Sequence, residues 1–418
     1  MAELAFGFPA AGALLVSLFH RRKVLAVVAG LVFGLAGLLA TGLAVPGRAE
    51  IVLGLTLRLA APGQVLLAAT FLAGGLAVLF VPAGADRVPM LASVLAGLAA
   101  AAAIAILSDP LLVALVLLVV AAVHAAVPAL RPFGERVRAP AFGALLILLG
   151  ALVAAGATNP LLVRLAGLAL VLGVTAAIGV APYLQTLDPR EPAPASPIAW
   201  LGFLGPALVV ALATRFAVLI PDESAPGYAA VLLGLGVFNL GLGIFGAWRS
   251  KPNADLWRYS FVGEWGLVLA GFGLLDPAAS GGAYLLLLNL LLLRLPLYLL
   301  ARPALVRASP PAKIGPLTLL VAAALAGAAP FAGFPARLLI LRGASVQAWP
   351  LALVLVVAML GWLPQSIRLA QTLGSPAGRV RVGRDALAIS SVVASPQRAR
   401  PTPAKSPYGV GRADIRSR

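Results

Sequence analysis

Long apolar runs recur along this chain and are separated by short polar or charged turns, from "LAFGFPAAGALLVSLF" near the start to "WPLALVLVVAMLGWL" near residue 360. A helix of roughly 20 apolar residues crosses a bilayer core of about 30 Å. The pattern therefore predicts about thirteen membrane-spanning helices, in which Pro and Gly are tolerated because neighbouring helices satisfy the freed backbone groups. The predicted spans are centred near residues 4–20, 24–45, 64–82, 88–107, 110–130, 139–157, 160–184, 198–220, 227–248, 259–275, 281–301, 314–341 and 348–371.

Composition indicates the same fold class. Of the 418 residues, 61% are hydrophobic and 11% are charged, and the mean hydropathy is +1.02. Soluble domains contain only about 45–50% apolar residues, so lipid must cover much of this surface. We predict an all-α polytopic membrane protein with a transmembrane bundle over residues 1–371. Residues 372–418 are predicted to form a basic, Pro- and Arg-rich cytoplasmic tail, disordered or ordered only against a partner.

The distribution of Lys and Arg predicts the orientation. Basic residues concentrate in alternate loops, and the loops between them are neutral or acidic, as at "PDES" and "LDPAASGG". Because basic loops stay in the cytoplasm, the N-terminus is predicted outside and the C-terminus inside, in the inner (cytoplasmic) membrane. The net charge of +17 fits this orientation and contact with the lipid bilayer, with no sign of nucleic-acid binding. The basic loop residues are Arg21, Arg22, Lys23, Arg87, Arg131, Arg136, Arg138, Arg190, Arg249, Lys251, Arg258, Arg302, Arg307 and Lys313, and the exceptions are Arg48, Arg58 and Arg342.

The sequence carries no recognisable catalytic or cofactor motif. It has no cysteine, which excludes disulfides, iron–sulfur ligation and thiol chemistry. Its two histidines, His20 and His124, belong to no cluster with metal-ligand spacing. No phosphate-binding loop, dinucleotide fingerprint or nucleophile elbow is present. We therefore expect no catalytic site, metal or cofactor in this chain.

A few charged side chains fall inside the predicted spans, where charge is costly and usually marks a partner or an ion pathway. Glu264 and Arg294 lie at similar depth on adjacent antiparallel spans, so we predict that they pair, with Asn289 and Tyr259 as hydrogen-bonding neighbours. Two interpretations stay open: a neutralised pair that fastens two helices, or a relay station for protons. The charged residues inside the spans are Glu264, Arg294, Arg337 and Arg215.

Two spans contain helix breakers. "LGVTAAIGVAPYLQTLDPREPAPASPIAWL" carries Pro182 late in the predicted seventh span, and "LAGAAPFAGFPARLLIL" carries Pro330, Gly333 and Pro335 in the middle of the twelfth. Broken helices at membrane depth are typical of ion-translocating folds, although a simple proline kink is the alternative.

These segments resemble the antiporter-like membrane subunits of respiratory complex I, Mrp-type sodium/proton antiporters and membrane-bound hydrogenases. "YSFVGEWG" is similar to the family's Y-S-S-I-G-Q-x-G, and "YLLLLNLLLLRLPLYLLA" to L-N-H-A-L-F-K-A-L-L-F-L, with Asn289 on the Asn and Arg294 on the Lys. "LAGAAPFAGFPARLLIL" resembles L-A-G-x-P-P-x-x-G-F-x-G-K, with Arg337 on the Lys, and "APYLQTL" with "APASPIAWL" resembles P-x-H-x-W-L-P-x-A and A-P-T-P-V-S-A-L-L. The likeness covers roughly residues 50 to 371 and is nearest in plan to the fourteen-helix complex I subunit.

The resemblance implies two inverted five-helix repeats with broken seventh and twelfth spans. It also implies a proton path that this chain largely lacks. The family's fifth-span glutamate falls near Leu118 or Val119, the seventh-span lysine at Ala177, and the eighth-span lysine near Pro206 or Ala207. All four lysines of the chain are predicted to lie in loops or the tail. Arginine keeps its proton, so Arg294 and Arg337 preserve charge without titrating. His124 can switch its charge near neutral pH, but a lone His on an apolar helix is more often a packing residue.

Our leading hypothesis is an integral subunit of a complex I-like, NADH/quinone oxidoreductase-type assembly, with other membrane subunits as partners and redox groups in those chains. Most of its proton channel is lost, so its role is structural or weakly translocating. One alternative is a working proton- or sodium-translocating subunit that uses Glu264, Arg294 and water. The other is a membrane scaffold that docks a partner through its basic tail.

Overall fold

A computed structural model describes residues 2–52, 54–80, 87–128, 130–156, 159–185, 197–217, 224–251, 253–306 and 311–373. Each of the thirteen predicted segments overlaps one helix or two consecutive helices. The predicted tail lies outside the described residues from 374 onward, so the proposed domain division stays a prediction. The helices are α1 Ala2–Leu18, α2 Lys23–Leu43, α3 Ala61–Leu79, α4 Arg87–Ile106, α5 Pro110–Ala126, α6 Arg138–Gly156, α7 Pro160–Ile178, α8 Pro197–Ala211, α9 Ala225–Arg249, α10 Asn253–Gly273, α11 Pro277–Asn289, α12 Leu295–Val306, α13 Pro316–Ala326, α14 Gly333–Gln347, α15 Trp349–Gly361 and α16 Leu363–Leu373.

Capping and breaking residues set many of these boundaries. The side chains of Asp109, Asn159 and Asp276 accept hydrogen bonds from backbone N–H groups in the first turns of α5, α7 and α11. Such N-caps satisfy donors that have no partner within the helix. Gly179 and Gly327 end α7 and α13 in the left-handed conformation, with φ of 88° and 64°, which glycine adopts without steric cost.

The helices form a polytopic membrane bundle, so the predicted fold class is confirmed. Eight described helical stretches are long and apolar enough to cross a membrane, and four shorter apolar helices accompany them. Large apolar side chains lie on the outside: Leu39 and Leu43 of α2 and Val357 of α15 are each more than half exposed, as lipid contact requires. The total of thirteen spans and the inverted repeats stay predictions.

Small residues bring neighbouring helices into close contact. A Cβ added to Gly143 of α6 would lie 2.3 Å from the Gly173 carbonyl oxygen of α7. On α9, a Cβ on Gly236 would lie 2.4 Å from the Ala270 backbone nitrogen of α10. Without a hydrophobic force between helices in lipid, such close backbone packing drives their association. The α9–α10 contact fixes the helix that carries Glu264.

Three features differ from the simple pattern of one apolar run per helix. A two-stranded antiparallel hairpin, β1 Ala49–Val52 and β2 Leu55–Arg58, connects α2 to α3 and was not predicted. Two π-helical segments are present among the described residues: Leu212–Phe216 follows α8 within the predicted eighth span, and Leu290–Arg294 interrupts the predicted eleventh span between α11 and α12. The predicted thirteenth span is divided into α15 and α16, and α16 buries polar side chains such as Gln365 and Ser366.

Candidate functional site: a buried glutamate between two arginines

Glu264 lies in the interior of the bundle and contacts two arginines. Its Oε2 atom is 3.2 Å from Arg337 Nη2 and 3.8 Å from Arg294 Nε, and its Oε1 accepts a hydrogen bond of 3.5 Å from Asn289 Nδ2. The side chains of all three charged residues are at most 8% exposed. The predicted Glu264–Arg294 pair is therefore present, but the shorter contact is to Arg337.

The third predicted neighbour of Glu264, Tyr259, packs elsewhere. Its ring packs against Gly246 of α9, and the Arg258 guanidinium lies 4.6 Å from the ring centroid. Ser260, which sequence reasoning missed, takes its place in the cluster. It lies one helical turn before Glu264 and so shares the same face of α10. Arg294 Nη1 donates to the Ser260 carbonyl at 2.9 Å and contacts the Ser260 hydroxyl at 3.3 Å.

The π-helical segment directs Asn289 and Arg294 to the same site. On a regular α-helix, residues five apart point in directions about 140° apart, since each residue turns about 100°. Here the Leu295 N–H bonds to the Leu290 carbonyl, the i→i+5 spacing of a π-turn. The wider turn brings side chains five apart close to one face. The sequence signal nearest to this segment is Pro296, which has no N–H to donate and disfavours regular helix at residue 292.

The break in the predicted twelfth span supplies the rest of the site. Arg294 Nη2 donates to the Leu325 carbonyl at 3.0 Å, in the last turn of α13. Arg337 packs on Gly327, where an added Cβ would lie 2.6 Å from Arg337 Nη1. Two guanidinium groups thus lie at the C-terminus of α13, the negative end of its helix dipole. Gly333 begins α14, next to Gly327 and Asn289.

The cluster contains two positive side chains and one negative one. The α13 carbonyl end and the Ser260 carbonyl offset part of the excess charge. Arg294 Nε, Arg337 Nε and Asn289 Oδ1 are buried and make no hydrogen bond among the described residues. Protonation of Glu264 would leave two buried guanidiniums with no anionic side chain among their described contacts, and a broken buried ion pair is costly. The arrangement can hold four helices together, and none of its arginines can release a proton.

The break after α7 is built in the same way. Both breaks have the sequence Gly-x-Ala-Pro, at Gly179–Pro182 and Gly327–Pro330, and both X–Pro peptide bonds are cis. At the first break, Asn239 of α9 accepts a hydrogen bond from the Ala181 N–H at 2.9 Å and donates to the Ala181 carbonyl at 3.4 Å. An amide thus occupies the place that charged groups fill at the second break. Pro335, the third predicted breaker there, lies within the first turn of α14.

His124 belongs to a separate polar cluster. Its Nδ1 lies 2.9 Å from the Val120 carbonyl, and its Nε2 lies 3.0 Å from the Ser93 hydroxyl. Arg136 Nη1 donates to the same hydroxyl at 2.7 Å. Arg136 was predicted to be a loop charge, yet only 1% of it is exposed. The 3₁₀ segment Arg131–Val137 turns it inward, against Ser93 of α4. His124 therefore has a partner at both ring nitrogens and does not contact Glu264 through any described bond.

The positions where the resemblance places lost proton stations are apolar. Val119 lies on the outside of the bundle with 59% exposure, and Ala177 is buried against Gly143. Pro206 and Ala207 of α8 line a separate cavity near the hairpin. Arg215, in the π-helical segment Leu212–Phe216 after α8, donates to the Ala105 carbonyl at 3.1 Å and to the Leu107 carbonyl.

Comparison of folds finds similar chains in three solved complexes. A chain of the membrane-bound sulfane sulfur reductase, an archaeal respiratory membrane complex, is 19% identical with a TM-score of 0.72, and the match covers 94% of this chain and 92% of that one. A chain of respiratory complex I from Thermus thermophilus is 19% identical with a TM-score of 0.64, over 89% of this chain and 88% of that one.

A chain of the Mrp complex from Dietzia sp. DQ12-45-1b is 17% identical with a TM-score of 0.71. The match covers 94% of this chain, which spans about half (48%) of the longer Mrp chain. No protein-family model and no curated protein matches the sequence. At these identities the comparison establishes a shared fold, and two of the three complexes, Mrp and complex I, are among those that the resemblance named.

Proposed function

We propose that this chain is a membrane subunit of a multi-subunit energy-converting or ion-translocating assembly of the complex I, Mrp or hydrogenase type. Within it, the Glu264 cluster would fasten helices rather than relay protons. Three solved complexes that contain chains of this fold support the first part. Redox groups and quinone chemistry would then belong to partner chains, because no catalytic or cofactor motif is apparent in this sequence.

The observation that carries the second part is the position of Glu264 between Arg337 and Arg294, at 3.2 Å and 3.8 Å. A proton station must take up and release a proton at low cost. Glu264 is surrounded by positive charge that its protonation would leave uncompensated, and Arg294 is further committed to the Ser260 and Leu325 carbonyls. The cluster therefore favours one charge state and one arrangement of α10, α11, α13 and α14.

Reconstitution tests this proposal. The purified chain would be placed in proteoliposomes that contain a pH-sensitive dye, with an imposed pH gradient and membrane potential. We expect proton flux no greater than in protein-free vesicles, with or without an added sodium gradient. The matched variants are Glu264→Gln, in the cluster, and Glu135→Gln, in an exposed pair with Arg138. Flux well above background that disappears in Glu264→Gln and persists in Glu135→Gln would instead favour a working translocator.

Co-purification tests membership of an assembly. Mild solubilisation of native membranes and affinity purification of the tagged chain should recover other multi-pass membrane proteins in fixed stoichiometry. A monodisperse single chain under the same conditions would contradict the proposal, and recovery of one peripheral protein alone would favour the scaffold alternative. The flux assay tests the role of the Glu264 cluster, and co-purification tests membership of an assembly. Either part of the proposal can therefore fail without the other.

A further inference from the structure

A cavity of about 210 Å³ lies between α3, α4 and α8, away from the Glu264 cluster. Arg58, Ala60 and Ser108 at its mouth are exposed, whereas Leu67 and Thr70 deep within it are each 2% exposed. Ten residues of α3 separate Ala60 from Thr70, which corresponds to about 15 Å at 1.5 Å per residue. The cavity thus extends from the hairpin end of the bundle to about half the depth of a 30 Å hydrocarbon core.

The charged groups of this cavity are positive. Arg58 lies at the end of β2, and Arg215 lies in the wall formed after α8; no Asp or Glu is among the described lining residues. Asp109 follows Ser108 in the chain, but its carboxylate accepts a hydrogen bond from the Leu111 N–H at 2.8 Å and caps α5. Arg215 is fixed in the wall by the Ala105 and Leu107 carbonyls.

Water fits this space. A liquid water molecule occupies about 30 Å³, and a buried one needs polar partners, which the guanidiniums, Ser108 and the threonine hydroxyls provide. A cleft with low-dielectric walls and charges of one sign concentrates counter-ions and repels ions of its own sign. We propose that this cavity is an aqueous vestibule, open at the hairpin end, that takes small inorganic anions and excludes cations.

The positive charge of this cavity bears on ion movement whether or not the chain belongs to the proposed assembly. Pro206 and Ala207 line the cavity, and they occupy the positions where the resemblance places a lysine of the proton path. A sodium or hydronium ion approaching them from the hairpin end would meet two guanidinium groups first. The vestibule would therefore be electrostatically closed to the cations that an antiporter carries.

The absence of cysteine makes the test specific, because one introduced thiol is the only one in the chain. Thr70→Cys and Ala207→Cys would each be reacted, in proteoliposomes of neutral lipid, with an anionic sulfonate and a cationic trimethylammonium thiosulfonate reagent. In each case the thiolate displaces methanesulfinate and forms a mixed disulfide. After normalisation to the reaction with a small thiol, we expect the anionic reagent to react about tenfold faster at low salt. This preference should shrink as salt screens the field.

Matched variants complete the test. Val119→Cys, on the lipid-facing side of α5, should react slowly with both reagents. Adding Arg58→Gln to the Ala207→Cys chain should lower the anion preference, and Arg58 lies on an exposed strand where the change need not disturb folding. Equal rates for the two reagents, a cation preference, or failure of both cavity thiols to react would each overturn the proposal.

Discussion

Arginine at positions 294 and 337 has a different physical role from the lysine that the resemblance would place there. The planar guanidinium of Arg294 reaches the Ser260 carbonyl at 2.9 Å and the Leu325 carbonyl at 3.0 Å while its Nε faces Glu264. The ammonium group of a lysine is a compact point charge. It lacks the rigid, planar set of donors with which a guanidinium can contact three acceptors in different directions. The residue type thus suits a fixed junction between helices and does not suit proton exchange.

Glu264→Gln should destabilise the protein by about 3–5 kcal/mol, because it leaves two buried guanidiniums without their anionic partner. Unfolding by sodium dodecyl sulfate in mixed micelles measures the change. Glu135→Gln is the control: that carboxylate pairs with Arg138 on the surface, with 43% of its side chain exposed, so its loss should cost less than about 1 kcal/mol. Similar costs at both positions would contradict a buried ionic junction.

Removing a second charge should restore stability unequally. Arg337 makes the shorter contact with Glu264, and Arg294 has further bonds to Ser260 and Leu325. Glu264→Gln combined with Arg337→Gln should therefore recover more of the loss than the combination with Arg294→Gln. The same unfolding assay measures both double variants. Greater recovery with Arg294→Gln would make Arg294 the principal partner, as the sequence alone had suggested.

The sequence identified the charged residues of this cluster but not its full geometry. Glu264 and Arg294 stand out because charge inside an apolar run is rare, and their depths could be compared along two adjacent spans. Arg337 could not be paired in this way, since it follows a helix break of unknown geometry. Ser260 and the Leu325 carbonyl carry no signal at all, because a backbone acceptor becomes visible only when the helices are placed.

At the scale of elements, the breaks were predictable and the π-helical segments were not. The breaks at Pro182 and Pro330 are predictable because Gly and Pro occur there within long apolar runs. The preceding helices, α7 and α13, each end at a glycine in the left-handed conformation. The leucines of Leu290–Arg294 favour a regular helix, and Pro296 indicates a distortion near residue 292 without specifying a π-turn. Its wider turn places Asn289 and Arg294 together, so tertiary contacts rather than propensity fix the local geometry.

Gly327→Ala tests the second break. The φ of Gly327 is +64°, and an L-residue with a side chain loses about 1–2 kcal/mol of folding stability in this conformation. The new methyl group would also lie 2.6 Å from Arg337 Nη1, which must move away from the α13 terminus. Gly241→Ala, inside α9, is the control: it has no left-handed φ, and no atom lies within 4 Å of the added Cβ. We expect a clear loss of stability for the first variant and almost none for the second.

For the whole molecule, the apolar pattern was sufficient to predict a membrane bundle because length and hydrophobicity determine where a helix can lie. It could not predict the β1–β2 hairpin, whose strands are only four residues each. It also missed the inward turn of Arg136, since a basic residue between two spans looks like a loop charge. Close helix packing through Gly143 and Gly236 likewise depends on which faces meet, and that information is not local in sequence.

The position of the end of α16 gives a structural argument about topology. Arg368 Nη2 donates to the Ser250 carbonyl at 2.8 Å, and the Ala312 N–H bonds to the Gln371 carbonyl at 3.1 Å. The end of α16 therefore lies beside the turns that carry Lys251 and Lys313. Asp276 follows the far end of α10, whose 21 residues extend over about 32 Å. The basic turns and Asp276 thus lie at opposite ends of α10, which we predict to cross the membrane.

Since basic turns stay in the cytoplasm, we predict that a reporter fused after Arg418 is cytoplasmic and that one inserted near Asp276 is exterior. Each site would be fused in turn to alkaline phosphatase, which is active only outside, and to a fluorescent protein, which is fluorescent only inside. The active reporter then shows on which side of the membrane the site lies. A fusion before Ala2 should be exterior, because an odd number of spans separates the two ends. If the C-terminal reporter is exterior while the Asp276 reporter is cytoplasmic, the whole bundle is inverted. If both report the same side, one of the three predicted spans between Asp276 and Arg418 does not cross the membrane.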